Sequence, residues 1–159
     1  MNRIFDLRLP ELLLFVRETC HEKLKDELVE LKALNALFMQ SLYRHEIPIE
    51  FPMLLDLLME KIENHLWIEE VKFFPLIEEG KKEMGLFPIY SLLDDHDDLR
   101  NYIIRLKEMT AHFHVSSKGR TLKRYMDHIT ELDRLIMNHA ILQEKILYPM
   151  VMRASQELR

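Results

Sequence analysis

Apolar positions recur every three or four residues along four long stretches of this chain, with prolines and glycines between them. Pro10 opens a run from Glu11 to about Arg44 that has no Gly or Pro, and Pro48 and Pro52 mark a break. A second run goes from about Met53 to Glu79 and ends at Gly80. Gly85 and Pro88 precede a third run to about His114, Val115 to Gly119 connects, and a fourth runs from about Arg120 into the last residues. The seams at helical spacing are Leu14, Arg17, His21, Leu24, Leu28 and Leu31 in the first run, and Leu58, Ile62, His65, Glu69, Phe73 and Leu76 in the second. In the third they are Ile89, Leu92, His96, Leu99, Ile103 and Leu106, and in the fourth Ile129, Leu132, Ile136, His139, Gln143, Ile146 and Met150. Such stripes are the core-facing seams of an all-α, antiparallel up-down four-helix bundle. Pro75 and Pro149 fall late in the second and fourth helices and are expected to kink or end them.

The chain also repeats itself. Glu63 to Pro75 reads ENHLWIEEVKFFP and Met137 to Pro149 reads MNHAILQEKILYP, two copies of one thirteen-residue pattern. His21 and His96 are each followed by an acid, a Leu three residues on and a cation four residues on. His21 and His96 stand 75 positions apart, His65 and His139 stand 74 apart. Duplication of a helical hairpin is the simplest account. It predicts one domain over residues 1–159, with hairpins at about 10–80 and 87–155.

Composition adds bounds. Only 3 glycines in 159 residues favours few long helices over many short strands. A net charge of -5 with no basic cluster argues against a nucleic-acid partner. The apolar run Leu12 to Val16 is too short for a signal sequence or a membrane span. A single cysteine, Cys20, rules out an internal disulfide, fits a cytoplasmic location and reads as a packed small residue.

The seams hold an anomaly. Four of their positions carry histidine where Leu or Ile is called for, and one carries Glu69. An unpaired polar group there costs about 1–3 kcal/mol, and a bare carboxylate more. Hydrogen bonds between His and Glu could offset this, giving a metal-free polar core. A metal could do so too, since neutral imidazoles and a carboxylate are natural ligands. His65 and Glu69 are neighbours at i and i+4, and one seam histidine per helix brings four imidazoles to the bundle axis. Two such patterns in register favour the metal.

At these residues the chain resembles the hemerythrin-like (HHE cation-binding) family over nearly its whole length. His21-Glu-Lys-Leu-Lys and His96-Asp-Asp-Leu-Arg resemble the family's lone-histidine helices, and His65-Leu-Trp-Ile-Glu69-Glu70 with Phe73-Phe74-Pro75 resembles its His-x-x-x-Glu-Glu helix. The resemblance implies two non-haem iron ions in the bundle, bridging Glu carboxylates, and a small diatomic ligand at an open position. Carried across, His21, His65, Glu69, His96 and His139 become metal ligands. His45, in Tyr-Arg-His-Glu-Ile-Pro, resembles an additional ligand of the di-iron iron–sulfur-cluster repair proteins, whose C-terminal domain the chain also resembles. Its bland reading is a surface histidine at a helix end, favoured there by the dipole.

Gln143 departs from the pattern, because the family expects a bridging Glu there. Either Gln143 lends one neutral oxygen and the second iron is held more weakly, or Glu144, five residues after His139, turns inward and restores the carboxylate. His112, His114 and His128 are too far along their helices to join; His112 stands roughly 24 Å past His96 at 1.5 Å per residue. Trp67, Phe73, Phe74 and Tyr148 are expected in the core, and Tyr148 could also reach a bound ligand. The zinc-protease His-Glu-x-x-His, Cys-x-x-Cys pairs and phosphate-binding loops do not occur.

Three functions fit. The preferred one binds or senses oxygen or nitric oxide, with a separate protein as partner for electron transfer or signalling. The second is a di-iron enzyme acting on nitric oxide or peroxide, or repairing iron–sulfur clusters. The third is a bundle without metal that serves as an interaction module.

Overall fold

The computed structural model describes residues 7–40, 47–81, 86–111 and 119–156. Among them are four long helices and no strand. Helix α1 covers residues 9–40, α2 covers 50–78, α3 is Leu86–Ala111 and α4 covers 120–156. They neighbour one another in the cyclic order α1, α2, α3, α4, so α1 lies diagonal to α3 and α2 to α4. This is the expected all-α bundle.

The prolines do not end the helices. Each of α1, α2 and α4 contains one wider π-helical turn, at Val16–His21, Ile68–Phe73 and Gln143–Leu147. There the backbone bonds skip five residues: Glu22 N–H donates to Arg17 O, Phe74 N–H to Glu69 O, and Tyr148 N–H to Gln143 O. In α2 and α4 the turn restarts the α-helix at Phe74 and Tyr148. Pro75 and Pro149 therefore fall in a first turn, where a missing N–H leaves no bond broken. Pro52 is tolerated for the same reason, since α2 begins at Glu50. Gly80, at φ 74°, closes α2: Lys81 N–H donates to Leu76 O and Gly80 N–H to Ile77 O.

A π turn adds one residue, so the buried face slips by one position beyond it. The α-helical seam predicts Arg17 and Leu14 inside α1, but Val16 and Leu13 are buried and Leu14 is 51% exposed. In α2 Ile77 is buried in place of Leu76, and in α4 Leu147 and Val151 are buried in place of Ile146 and Met150. Helix α3 has no π turn, and Ile89, Leu92, His96, Leu99, Ile103 and Leu106 are all buried as the uninterrupted period requires.

Two apolar clusters fill the bundle. One gathers residues such as Leu28, Leu55, Ile103 and Ile129. The other gathers Leu12, Phe73, Phe74, Ile89, Leu147 and Tyr148. Between them lie His21, His65, Glu69, His96, His139 and Gln143, all buried. A further buried polar residue, Asn35, donates to Pro52 O at 3.1 Å and to Asp56 Oδ1 at 2.6 Å, and accepts from the Tyr125 hydroxyl at 2.9 Å. Each pair of neighbouring helices also has a polar crosslink: Lys32–Glu63, Lys61–Asp98, Lys107–Asp133 and His128–Glu27. Lys32–Glu63 and Lys61–Asp98 are exposed, and such pairs contribute about 0–1 kcal/mol each. None of the described helices is long and apolar enough to cross a membrane.

The slipped frame is testable with two adjacent leucines. Leu13→Ala, in the core, should lower unfolding free energy by about 2–5 kcal/mol. Leu14→Ala, half exposed, should change it by under about 1 kcal/mol. Urea unfolding of both variants checks this; equal losses would refute the frame.

Candidate metal centre

Each helix contributes one imidazole to the polar layer: His21 from α1, His65 from α2, His96 from α3 and His139 from α4. His21 Nε2 approaches His139 Nε2 at 3.1 Å, and His96 Nε2 approaches His65 Nε2 at 3.2 Å. Glu69, wholly buried, reaches all but His96. Its Oε2 stands 2.9 Å from His21 Nε2 and 3.0 Å from His139 Nε2, and its Oε1 stands 3.6 Å from His65 Nε2. The donor atoms of His65, His96 and His139, and those of His21, Glu69 and His139, each lie within 4.8 Å of one another.

A second ring of carboxylates stands behind the imidazoles. His21 Nδ1 donates to Glu70 at 2.8 Å, His96 Nδ1 to Glu144 at 3.0 Å, and His65 Nδ1 lies 3.4 Å from Asp95. A carboxylate at Nδ1 holds the proton there, so the Nε2 lone pair faces inward. Lone pairs pointed at one another about 3 Å apart repel, and only a shared proton or a cation reconciles them. Histidine nitrogens and a carboxylate, converging and backed by outer carboxylates, are the donor set that suits a transition-metal ion. On chemistry, the residues fit a metal.

The outer ring follows the internal repeat. Glu70 and Glu144 each stand five residues after a seam histidine and serve the lone histidine of the other helix in their hairpin. Lys25, four residues after His21, pairs with Glu70 at 2.9 Å and with Glu22 at 3.0 Å. Arg100, four residues after His96, pairs with Glu144 at 2.7 Å and with Asp97 at 2.8 Å. The rings repeat too: His21 stacks on Phe74 at 14° and His96 on Tyr148 at 12°.

The charges follow from this arrangement. Burial disfavours the Glu69 carboxylate, yet His65, His139 and His21 around it outweigh burial and hold it well below the usual range. Burial pushes the His139 imidazole down to about 4, against the opposing pull of Glu69. Burial and the nearby His65 lower His96 as well. His65 is also disfavoured by burial, but Glu69 and Asp95 reverse the balance and raise it. Burial and the Glu69 charge push the Tyr148 hydroxyl well above its ordinary value.

The structure brings His21, His65, Glu69, His96, His139 and Gln143 together. Glu144 lies outside the cluster: its carboxylate faces His96 Nδ1 and Arg100, as Glu70 faces His21 and Lys25. Gln143 stays inside, with its amide nitrogen 2.9 Å from His139 Nε2 and its oxygen accepting from the Tyr148 hydroxyl at 2.6 Å. His45, His112 and His114 lie outside the described residues. His128 is tied to Glu27 at 2.6 Å, away from the cluster. Trp67 is a correction: it is 48% exposed, with Lys72 Nζ 4.7 Å from its ring centre, because it lies off the face that buries His65 and Glu69. Phe73, Phe74 and Tyr148 are core residues as expected. Sequence reasoning missed Glu70, Asp95, Lys25 and Arg100 as supports. The repeated spacing of acid and cation after each histidine carried the signal for all but Asp95.

Residues 16–151 match the Hemerythrin HHE cation binding domain family, and the chain belongs to that family. It is 26% identical over 132 residues to an iron-sulfur cluster repair protein YtfE of Enterobacter sp. (strain 638), and 25% identical to that of Escherichia coli (strain K12 / DH10B). Each alignment covers 81% of this chain and 60% of the relative, so the chain spans about 60% of the length of these relatives.

The buried imidazoles predict how the metal-free protein responds to acid. His139 titrates near 4 when folded and near 6.5 when unfolded. The unfolded chain therefore binds the extra proton first, and stability falls as pH drops from about 6.5 to 4. His96, also lowered, acts in the same direction, and Glu69 adds a loss once pH passes below the ordinary carboxylate value. The raised His65 contributes below 6.5 and loses its share above that, so it leaves this window flat. The His139 share is on the order of 3 kcal/mol. Thermal melts of the metal-free protein across pH 4–8 should show the loss; a flat profile below pH 6.5 would contradict it.

Proposed function

We propose that this chain holds a non-haem di-iron centre in the layer between its two cores and uses it to bind or sense a small diatomic ligand, oxygen or nitric oxide. One observation carries the reading: four imidazole Nε2 atoms and the Glu69 carboxylate converge in a buried layer, with outer carboxylates behind three of the imidazoles. His21, His65, Glu69, His96 and His139 would hold the metal, with His45 as a further candidate and Gln143 beside them. Iron, when bound, supplies an open coordination position and a one-electron change of valence.

The chain's own residues do the remaining work. Glu70, Asp95 and Glu144 keep the Nδ1 protons in place and so aim the Nε2 lone pairs inward. Lys25 and Arg100 neutralise Glu70 and Glu144 and keep those carboxylates ionised. The two apolar clusters keep water from the layer, which strengthens every charge interaction within it. Glu69, with one oxygen toward His21 and His139 and the other toward His65, would be the carboxylate that this layer offers to the metal. Because Gln143 lacks the second negative charge, a second iron would be held more weakly than the first. A separate protein would carry electrons or signal.

A second reading has its own support. The relatives are named iron-sulfur cluster repair proteins, so the same centre in this chain could serve iron–sulfur cluster repair, or turnover of nitric oxide or peroxide. A chain that takes up no iron would instead be an interaction module.

Iron per chain and the absorption spectrum after anaerobic loading decide the first question. The expected result is about two irons per wild-type chain and a melting temperature raised by loading, by about 2.7 kcal/mol of stability at a hundredfold excess over Kd. Glu70→Gln should weaken iron binding about 10–100-fold. Equal melting temperatures for loaded and stripped samples would sink the reading. Exposure of the reduced protein to oxygen or nitric oxide then divides binding from turnover: a reversible spectrum supports binding, and continued consumption supports an enzyme.

A further inference from the structure

The two halves of the site differ at Asp95, which stands behind His65 where the other half has Cys20, and at one linked pair in the buried layer. Glu69 in the first half corresponds to Gln143 in the second, and Phe74 corresponds to Tyr148. Both aromatic rings stack on the lone histidine of their own hairpin, Phe74 on His21 and Tyr148 on His96. The tyrosine adds only a hydroxyl, and that hydroxyl stands 2.6 Å from Gln143 Oε1 and 3.3 Å from Glu69 Oε1. It has one proton for two acceptors, and the shorter contact takes it. With its oxygen so engaged, Gln143 turns its amide nitrogen inward, 2.9 Å from His139 Nε2. An amide N–H cannot ligate a cation. What it can do is donate. The exchange of Glu for Gln thus replaces a negative acceptor in the dry layer by a neutral donor, and the exchange of Phe for Tyr fixes which way that donor faces.

We propose that Gln143 is a hydrogen-bond donor to a small exogenous anion held at the metal centre, not a metal ligand, and that Tyr148 is the positioning residue that keeps the amide turned inward. The inference rests on the metal-binding reading above. The ligand class is a small anion with an exposed lone pair, which an N–H at this position can hold and a carboxylate cannot. Charge argues the same way: among the described residues Glu69 is the only carboxylate within the buried layer, so cations there lack a second counter-charge.

The test uses azide, a small anion of charge −1 that is visible when bound to iron. Wild type, Gln143→Leu, Gln143→Glu and Tyr148→Phe are loaded with iron, and each is assayed for iron per chain, for azide Kd by absorbance, and for the infrared stretch of bound azide. The expected result for Gln143→Leu is the wild-type iron content with azide bound about tenfold or more weakly, the loss of one hydrogen bond to a charged partner. Tyr148→Phe should keep its iron, weaken azide several-fold and shift the azide stretch, which a purely structural role would not move. Gln143→Glu, close in shape but without an N–H, should bind azide more weakly than wild type and hold the second iron more tightly. Loss of iron from Gln143→Leu would make Gln143 a ligand and overturn the proposal, as would an azide Kd unchanged in Gln143→Leu and Tyr148→Phe. A wild type that binds no iron would overturn the metal-binding reading itself, a result distinct from either.

Discussion

Four imidazole Nε2 atoms converge in one buried layer beside a single buried carboxylate, Glu69, and the rest of the molecule accommodates that meeting. Outer carboxylates at Nδ1 of His21, His65 and His96 leave Nε2 no alternative but to face inward. The layer is self-repelling as neutral bases and costly as cations, since burial penalises each charge. Glu69 answers part of this, and the histidines around it hold its carboxylate ionised against the cost of burial. Apolar clusters on both sides exclude water and make any cation that enters the layer the dominant local charge.

The π turns bear on this layer directly. All three contain an inward-facing site residue: His21 at the end of the first, Glu69 within the second and Gln143 at the start of the third. Two also place a proline in a first turn, but α1 has a π turn without such a proline, so proline is not the common cause. The shared feature is the polar residue turned toward the axis, in keeping with the tendency of single π turns to occur at functional sites.

The internal repeat carries the symmetry of the supports, and it is broken within the buried layer. Lone histidine, acid, cation, outer carboxylate and stacked aromatic recur in both hairpins with the same spacing. Glu69 with Phe74 in one half against Gln143 with Tyr148 in the other is a coordinated departure, because the added hydroxyl has the new amide as its nearest partner. Glu144 takes no part in that departure; it repeats the role of Glu70.

Period and spacing alone determined that the chain forms four helices, which histidines turn inward, and that Glu69 joins them, because a 3.6-residue repeat ties facing direction to position along any uninterrupted helix. The same rule misplaced Leu14, Leu76, Ile146 and Met150, since a π turn inserts a residue that no local pattern announces. Tertiary structure decided what depends on neighbours from other helices: that Glu144 supports His96 instead of entering the layer, and that Asp95 stands behind His65. Those contacts are set by the azimuth and register of packed helices, quantities that spacing within one helix does not contain.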